Sequence, residues 1–180
     1  MFSRINIFEI CKDGANAIRG ESKKITFFLI YWFVPIVFAT ILWHFDYCIS
    51  KDISSDIVGG IGLFAGLMFT LLFVVTNSYR TRKEQLSYSK NEEDKKYLER
   101  YNAFTQSTVS LISYSIVKAG LIILFTLAYV SLLTYKCNNL LIVFAKLCNG
   151  LLVIQLTQFA IVITMILKEM YAMLYDDINK

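Results

Sequence analysis

Apolar side chains gather along the chain into four long runs separated by polar stretches: 25–45, 57–76, 109–134 and 140–167. Each is long enough to cross a hydrocarbon core as a helix, which takes about 20 apolar residues. No carboxylate falls inside any run, and only two cations do, Lys118 and Lys146. That is the pattern imposed by the cost of charge in lipid. Any single run could instead be a buried helix of a soluble protein. Four of them in 180 residues leave too little polar surface to cover the rest. The expected fold class is all-α, a polytopic membrane protein with four transmembrane helices. Helices two and three extend beyond the bilayer into a cytoplasmic hairpin.

Lys and Arg in the flanks set the orientation. Arg4, Lys12, Arg19, Lys23 and Lys24 precede the first run. Arg80, Arg82, Lys83, Lys90, Lys95, Lys96 and Arg100 lie between the second and third, and Lys168 and Lys180 follow the fourth. The opposite side has Lys51 and Lys136. Both termini and the middle segment are therefore expected in the cytoplasm, with the chain multi-pass in a bacterial inner membrane. The outer loops, 46–56 and 135–139, are too short for a folded domain. The chain divides into an amphipathic N-terminal segment (1–24), a transmembrane domain (25–167) that includes the hairpin (77–108), and a tail (168–180).

The middle segment reads as helical. Ser89 precedes Glu92 at capping-box spacing. Glu92 and Lys96, then Lys95 and Glu99, are opposite charges four residues apart. No Pro or Gly interrupts before Gly120. The third helix is expected to start near Lys90 and end near Thr134, projecting roughly 25 Å from the bilayer. The second should reach about Gln85. Such a hairpin is either a solvated connector or a docking platform, with Arg80, Arg82, Lys83, Lys95, Lys96 and Arg100 as docking residues. Ile5, Phe8, Cys11, Ala15 and Ile18 fit one helical face, suited to lying on the membrane or to packing on the protein. Gly14 weakens that helix. The fourth helix is expected to run on through Met170, Met173 and Leu174, with Tyr171 and Tyr175 extending its apolar face.

Composition agrees with the pattern. Hydrophobic residues are 56% and charged ones 18%, against about 45–50% and 25% in soluble domains. The net charge of +4 does not imply direct nucleic-acid binding, because the basic residues border apolar runs instead of forming one patch. No small-residue cleavage site follows a short apolar core, so no cleaved signal peptide is expected.

Few residues are candidates for chemistry. Gly59, Gly62 and Gly66 give the second span a small-residue face for close helix packing, within or between subunits. Pro35 should kink the first span, as a static bend or a hinge. Lys118 lies eight to ten residues into the third span, by the run boundaries above. It either snorkels to the headgroups or lines a polar path with Gln155 and Gln158. Asn149, Gln155, Thr157, Gln158 and Thr164 of span four and the serines of span three read first as interhelical glue, and otherwise as a hydrated pathway between subunits. Cys48 and Cys137 share the outer side, where an oxidising periplasm would permit but not require a disulfide between them. One His and no Cys-x-x-Cys spacing argue against a metal site. No catalytic set, phosphate-binding loop or intramembrane carboxylate is present, so neither an enzyme nor a cofactor is expected.

The stretch from Asp56 through Gly59, Gly62 and Gly66 to Leu72, followed by the basic Arg80–Glu84, resembles small four-span bacterial membrane proteins encoded with antiphage defence systems. The membrane component of the Kiwa system is one of these. The resemblance covers architecture and one glycine-containing span and transfers no functional residue. It implies a homo-oligomeric membrane protein, with a tetramer as working assumption. Such a protein senses envelope disturbance and recruits a cytosolic, DNA-binding effector. The function expected on these grounds is a non-enzymatic membrane sensor and scaffold. The alternative is a pore-forming or membrane-depolarising effector.

Overall fold

A computed structural model describes residues 7–20, 24–86, 91–134 and 139–178. These residues are all helical apart from short connections. The elements are α1 (Ile7–Arg19), α2 (Lys24–Phe28), α3 (Val34–His44), α4 (Lys51–Leu86), α5 (Glu92–Thr134) and α6 (Asn139–Ile178). A π-helical turn, Leu29–Phe33, joins α2 to α3. Four helical stretches are long and apolar enough to cross a membrane: Thr26–His44, Lys51–Leu86, Glu92–Leu133 and Val143–Tyr175. Their large apolar side chains are widely exposed, from Phe28 and Phe38 to Leu63, Phe73, Leu124 and Leu167. Water would not tolerate that surface over so many turns, whereas lipid covers it.

The helix ends follow local chemistry. Ser50 caps α4, its Oγ accepting from the Ile53 N–H at 3.3 Å. The first loop is therefore shorter than the expected 46–56, because Lys51–Asp56 is already helical. Asn91 caps α5: its Oδ1 accepts from the Glu93 N–H at 3.2 Å. Glu92, Glu93 and Asp94 fill the first turn, where the helix dipole favours acids. The expected Ser89 capping box lies outside the described residues, as do Ile5, most of the second outer loop and Cys137. Cys48 is an exposed free thiol.

The chain forms two compact units, and α4, α5 and α6 contribute to both. The first comprises Met1–Gly20, Leu67–Ile116 and Val162–Lys180. Here α1 packs onto α5 at Gly14, where an added Cβ would overlap Tyr114. Gly14 thus permits close approach and does not break the helix. The buried face of α1 runs through Ile10, Cys11, Gly14, Ala17 and Ile18. The expected face was rotated from this one: Phe8 and Ala15 are exposed. Gly20, with φ +43°, ends the helix in the left-handed conformation that glycine adopts without strain.

The second unit comprises Glu21–Gly66 and Val117–Ile161. The first span touches it along a stripe at four-residue spacing, Tyr31, Pro35 and Ala39, all buried. Ala39, Ile49, Tyr129, Ala145, Leu152 and Val153 form its core. α3 closes in a Schellman turn. The Tyr47 N–H donates to the Leu42 carbonyl and the Asp46 N–H to the Trp43 carbonyl, both at 3.0 Å. Asp46 occupies the position usually taken by glycine, at φ 50°. Its carboxylate pairs with Lys146 at 2.8 Å.

Candidate functional site

Lys118 is the charged side chain most deeply placed among the spans, only 7% exposed. It sits on α5 in the second unit. Its Nζ donates to Gln158 Oε1 at 2.6 Å and to the Tyr31 hydroxyl at 2.9 Å. The same nitrogen lies 5.0 Å from the Tyr31 ring centroid, within cation–π range. Snorkelling is therefore not what Lys118 does, because its amine turns inward to two protein acceptors.

Pro35 explains what holds Gln158 in place. It has no N–H to give the carbonyl one turn back, that of Tyr31. Gln158 supplies a donor instead, its Nε2 reaching the Tyr31 carbonyl at 3.2 Å. The amide of Gln158 thereby serves both partners at once, donating from nitrogen and accepting at oxygen. The helix widens just before the proline, with the Val34 N–H bonded to the Leu29 carbonyl five residues back. Such π-turns recur at functional positions. Here the turn presents Tyr31 to α5 and α6.

Magnitudes decide whether this cluster is tolerable. A lysine at the centre of a spanning helix costs about 2.5–3.5 kcal/mol. A hydrogen bond to a charged group contributes roughly 1.5–3 kcal/mol. Two such bonds offset the burial, and losing either partner would leave the ammonium under-satisfied.

A second polar device lies in the same unit. Asn149, 6% exposed, clamps the segment after α3 from both sides. Its Nδ2 donates to the Tyr47 carbonyl at 2.9 Å. Its Oδ1 accepts from the Ile49 N–H at 3.1 Å. The buried Tyr129 hydroxyl donates to the Ile49 carbonyl at 3.0 Å. Irregular backbone gains from α5 and α6 the hydrogen bonds it lacks internally, as a low-dielectric surrounding requires.

Of the residues expected to form a polar path, Lys118 and Gln158 meet directly. Gln155 is half-buried, and its Oε1 has no hydrogen-bond partner among the described residues. Around Gly59, Gly62 and Gly66 no atom of the described residues lies within 4 Å of an added Cβ. Among the described residues, the missing Cβ of these glycines therefore admits no close packing neighbour.

The basic residues occupy the hairpin of the first unit. Tyr79 on α4 stacks on Tyr101 of α5, with centroids 6.3 Å apart and planes at 8°. Tyr97 stacks on Tyr101 at 5.8 Å. Tyr97 and Tyr101 are buried, so this aromatic ladder joins the two arms. Charged residues ring it. Arg80, Lys83, Lys95, Lys96 and Arg100 are exposed, and Arg82 is half-buried. Arg80 pairs with Glu84 at 3.1 Å. Lys83 Nζ lies 5.9 Å from the Tyr79 centroid. An open cleft of about 490 Å³ is lined by Lys96, Glu99, Arg100 and Ala103.

Tyr31, Tyr129 and the aromatic ladder were not singled out from sequence. Tyr31 had one usable signal, its place four residues before the only proline. Among the described residues, no group of three or more His, Cys, Asp or Glu is arranged to hold a metal ion.

Fold and site together define a chain with four helices of membrane-crossing length and composition. No protein-family model matches it, and no curated protein or solved structure proved similar.

Proposed function

We propose that this protein is a non-enzymatic membrane sensor and scaffold of an antiphage defence system, multi-pass in a bacterial inner membrane with both termini cytoplasmic. It reports envelope disturbance by docking a cytosolic effector on its basic hairpin. The antiphage setting rests on the resemblance of the glycine-containing span and the basic segment that follows it. The observation that carries the docking role is the aromatic ladder of Tyr79, Tyr97 and Tyr101. A solvated connector needs no buried aromatic joint, whereas a platform needs its two arms held in register. With the ladder in place, Lys95, Lys96 and Arg100 face solvent from a fixed helix. Their charge suits an acidic partner surface, which steers encounter and fixes orientation.

The variant Lys95→Glu, Lys96→Glu, Arg100→Glu tests this reading. It should insert normally and lose its cytosolic partner in co-purification. A partner retained at wild-type yield would remove the docking role. Cells expressing the chain alone should hold their membrane potential. Rapid depolarisation would favour the pore-forming alternative.

A further inference from the structure

The first unit contains a cavity of about 650 Å³ that the lysine cluster does not use and that Lys95, Lys96 and Arg100 do not line. Ligand pockets usually span about 300–1,000 Å³. Two of its walls differ in character. On α4, Val74, Ser78, Thr81 and Gln85 follow one another at helical spacing, with Asn77 and Arg82 beside them. On α6 the wall is Met170, Met173 and Leu174. Tyr101 of α5 also lines it, itself fixed by the aromatic stack.

We propose that this slot binds an anionic glycerophospholipid from the leaflet on the hairpin side, headgroup toward α4 and acyl chain along α6. Three observations point that way. First, the apolar run of α4 ends at Thr76, so Val74 and Val75 belong to the hydrocarbon and Asn77 to Gln85 to the headgroup layer. The slot spans that boundary. Second, among the described residues its polar wall offers an arginine, two hydroxyls and two carboxamides and no carboxylate. That donor-rich set matches a phosphodiester, which has only acceptors. Lys83 beside Arg82 adds positive charge, Arg80 being paired with Glu84. Basic pockets between spanning helices are a recurrent way of holding anionic headgroups. Third, the α6 wall stays apolar beyond Leu167, where headgroups would otherwise meet it. Two methionines give it the adaptability an acyl chain needs. The slot shares Arg82 and Tyr101 with the hairpin but not Lys95, Lys96 and Arg100, whose charge reversal tests docking, so the two readings can fail separately.

The test uses the full chain, delipidated in detergent and titrated with phosphatidylglycerol or with neutral phosphatidylcholine, bound lipids being counted by native mass spectrometry. Phosphatidylglycerol should be retained well above phosphatidylcholine. Arg82→Gln should weaken its binding about tenfold, the loss expected for one charge-assisted contact. Arg80→Gln, outside the slot, should stay within about twofold. Leu174→Trp fills the slot from an exposed position and keeps the charge, so it decides the matter even if Arg82→Gln fails to fold. It should abolish retention. Phosphatidylglycerol binding that survives Leu174→Trp overturns the proposal. So does equal retention of both lipids, which would leave the slot to a partner segment.

Discussion

The lysine cluster and the hairpin both carry charge, but they use it in opposite ways. In the second unit, Lys118, Gln158 and Tyr31 satisfy one another, and Asn149 and Tyr129 satisfy a stretch of backbone. In the hairpin, tyrosines make the buried joint and the charges stay on the surface. Polar groups inside a spanning segment have no water to fall back on, so pairing within the fold is favoured, Gln155 Oε1 being the exception among the described residues. Charges beyond the bilayer are under no such demand, because water solvates them. The difference separates structural polarity from the recognitional polarity proposed for the hairpin, and it can be broken at particular residues.

The largest effect is expected from Gln158→Leu. It removes an acceptor from Lys118 and a donor from the Tyr31 carbonyl, at a cost of about 2–4 kcal/mol. Adding Lys118→Met should restore much of that loss, because no buried ammonium then remains. Denaturation midpoints of the single and double variants check this. If the double variant is as unstable as the sum of its singles, the cluster is not a coupled unit.

Glycines sharpen the comparison next. Gly14→Ala should destabilise by about 1–3 kcal/mol, since its Cβ meets Tyr114. It should also expose α1 to proteolysis. Gly62→Ala adds a methyl to open space. Within the chain it should gain about 0.5–1 kcal/mol from helix propensity. A Gly62 variant that changes the oligomeric state without unfolding would assign that face to self-association, as the resemblance implies.

Asn149→Ala should cost about 1–2 kcal/mol, through two lost hydrogen bonds to Tyr47 and Ile49. Faster amide exchange confined to residues around Ile49 would check it. The smallest effect concerns pH. Lys146 beside Asp46 holds that carboxyl below the usual carboxylate range. The pair therefore adds stability above the ordinary value of about 4. That contribution is lost as pH falls through the lowered value. Both groups are largely exposed, so the effect is slight. Asp46→Asn, which tolerates the left-handed backbone, should flatten this acid-side slope while leaving the neutral-pH fold intact.

Much of the architecture was legible because lipid imposes a coarse rule. Apolar runs without carboxylates gave the four spans, and unbroken charge spacing from Glu92 gave α5 to within two residues of its observed start. Helix four running past Met170 was legible for the same reason. The face of α1 was not, because Gly14 reads as a helix weakener when its partner Tyr114 is unknown. Nor was the destination of Lys118. Its acceptors lie on two other helices, and the one that frees a carbonyl does so through a missing N–H at Pro35. Contacts at separations of 87 and 40 residues leave no local pattern.

The docking role is tested most directly by a photo-crosslinking amino acid placed at Lys96 in living cells, with Lys51, the exposed first residue of α4, as the control. A discrete adduct to a soluble protein is predicted at Lys96 alone, disappearing when Arg100→Glu is added. No adduct at Lys96, or one that persists through that charge reversal, would contradict a recognitional hairpin.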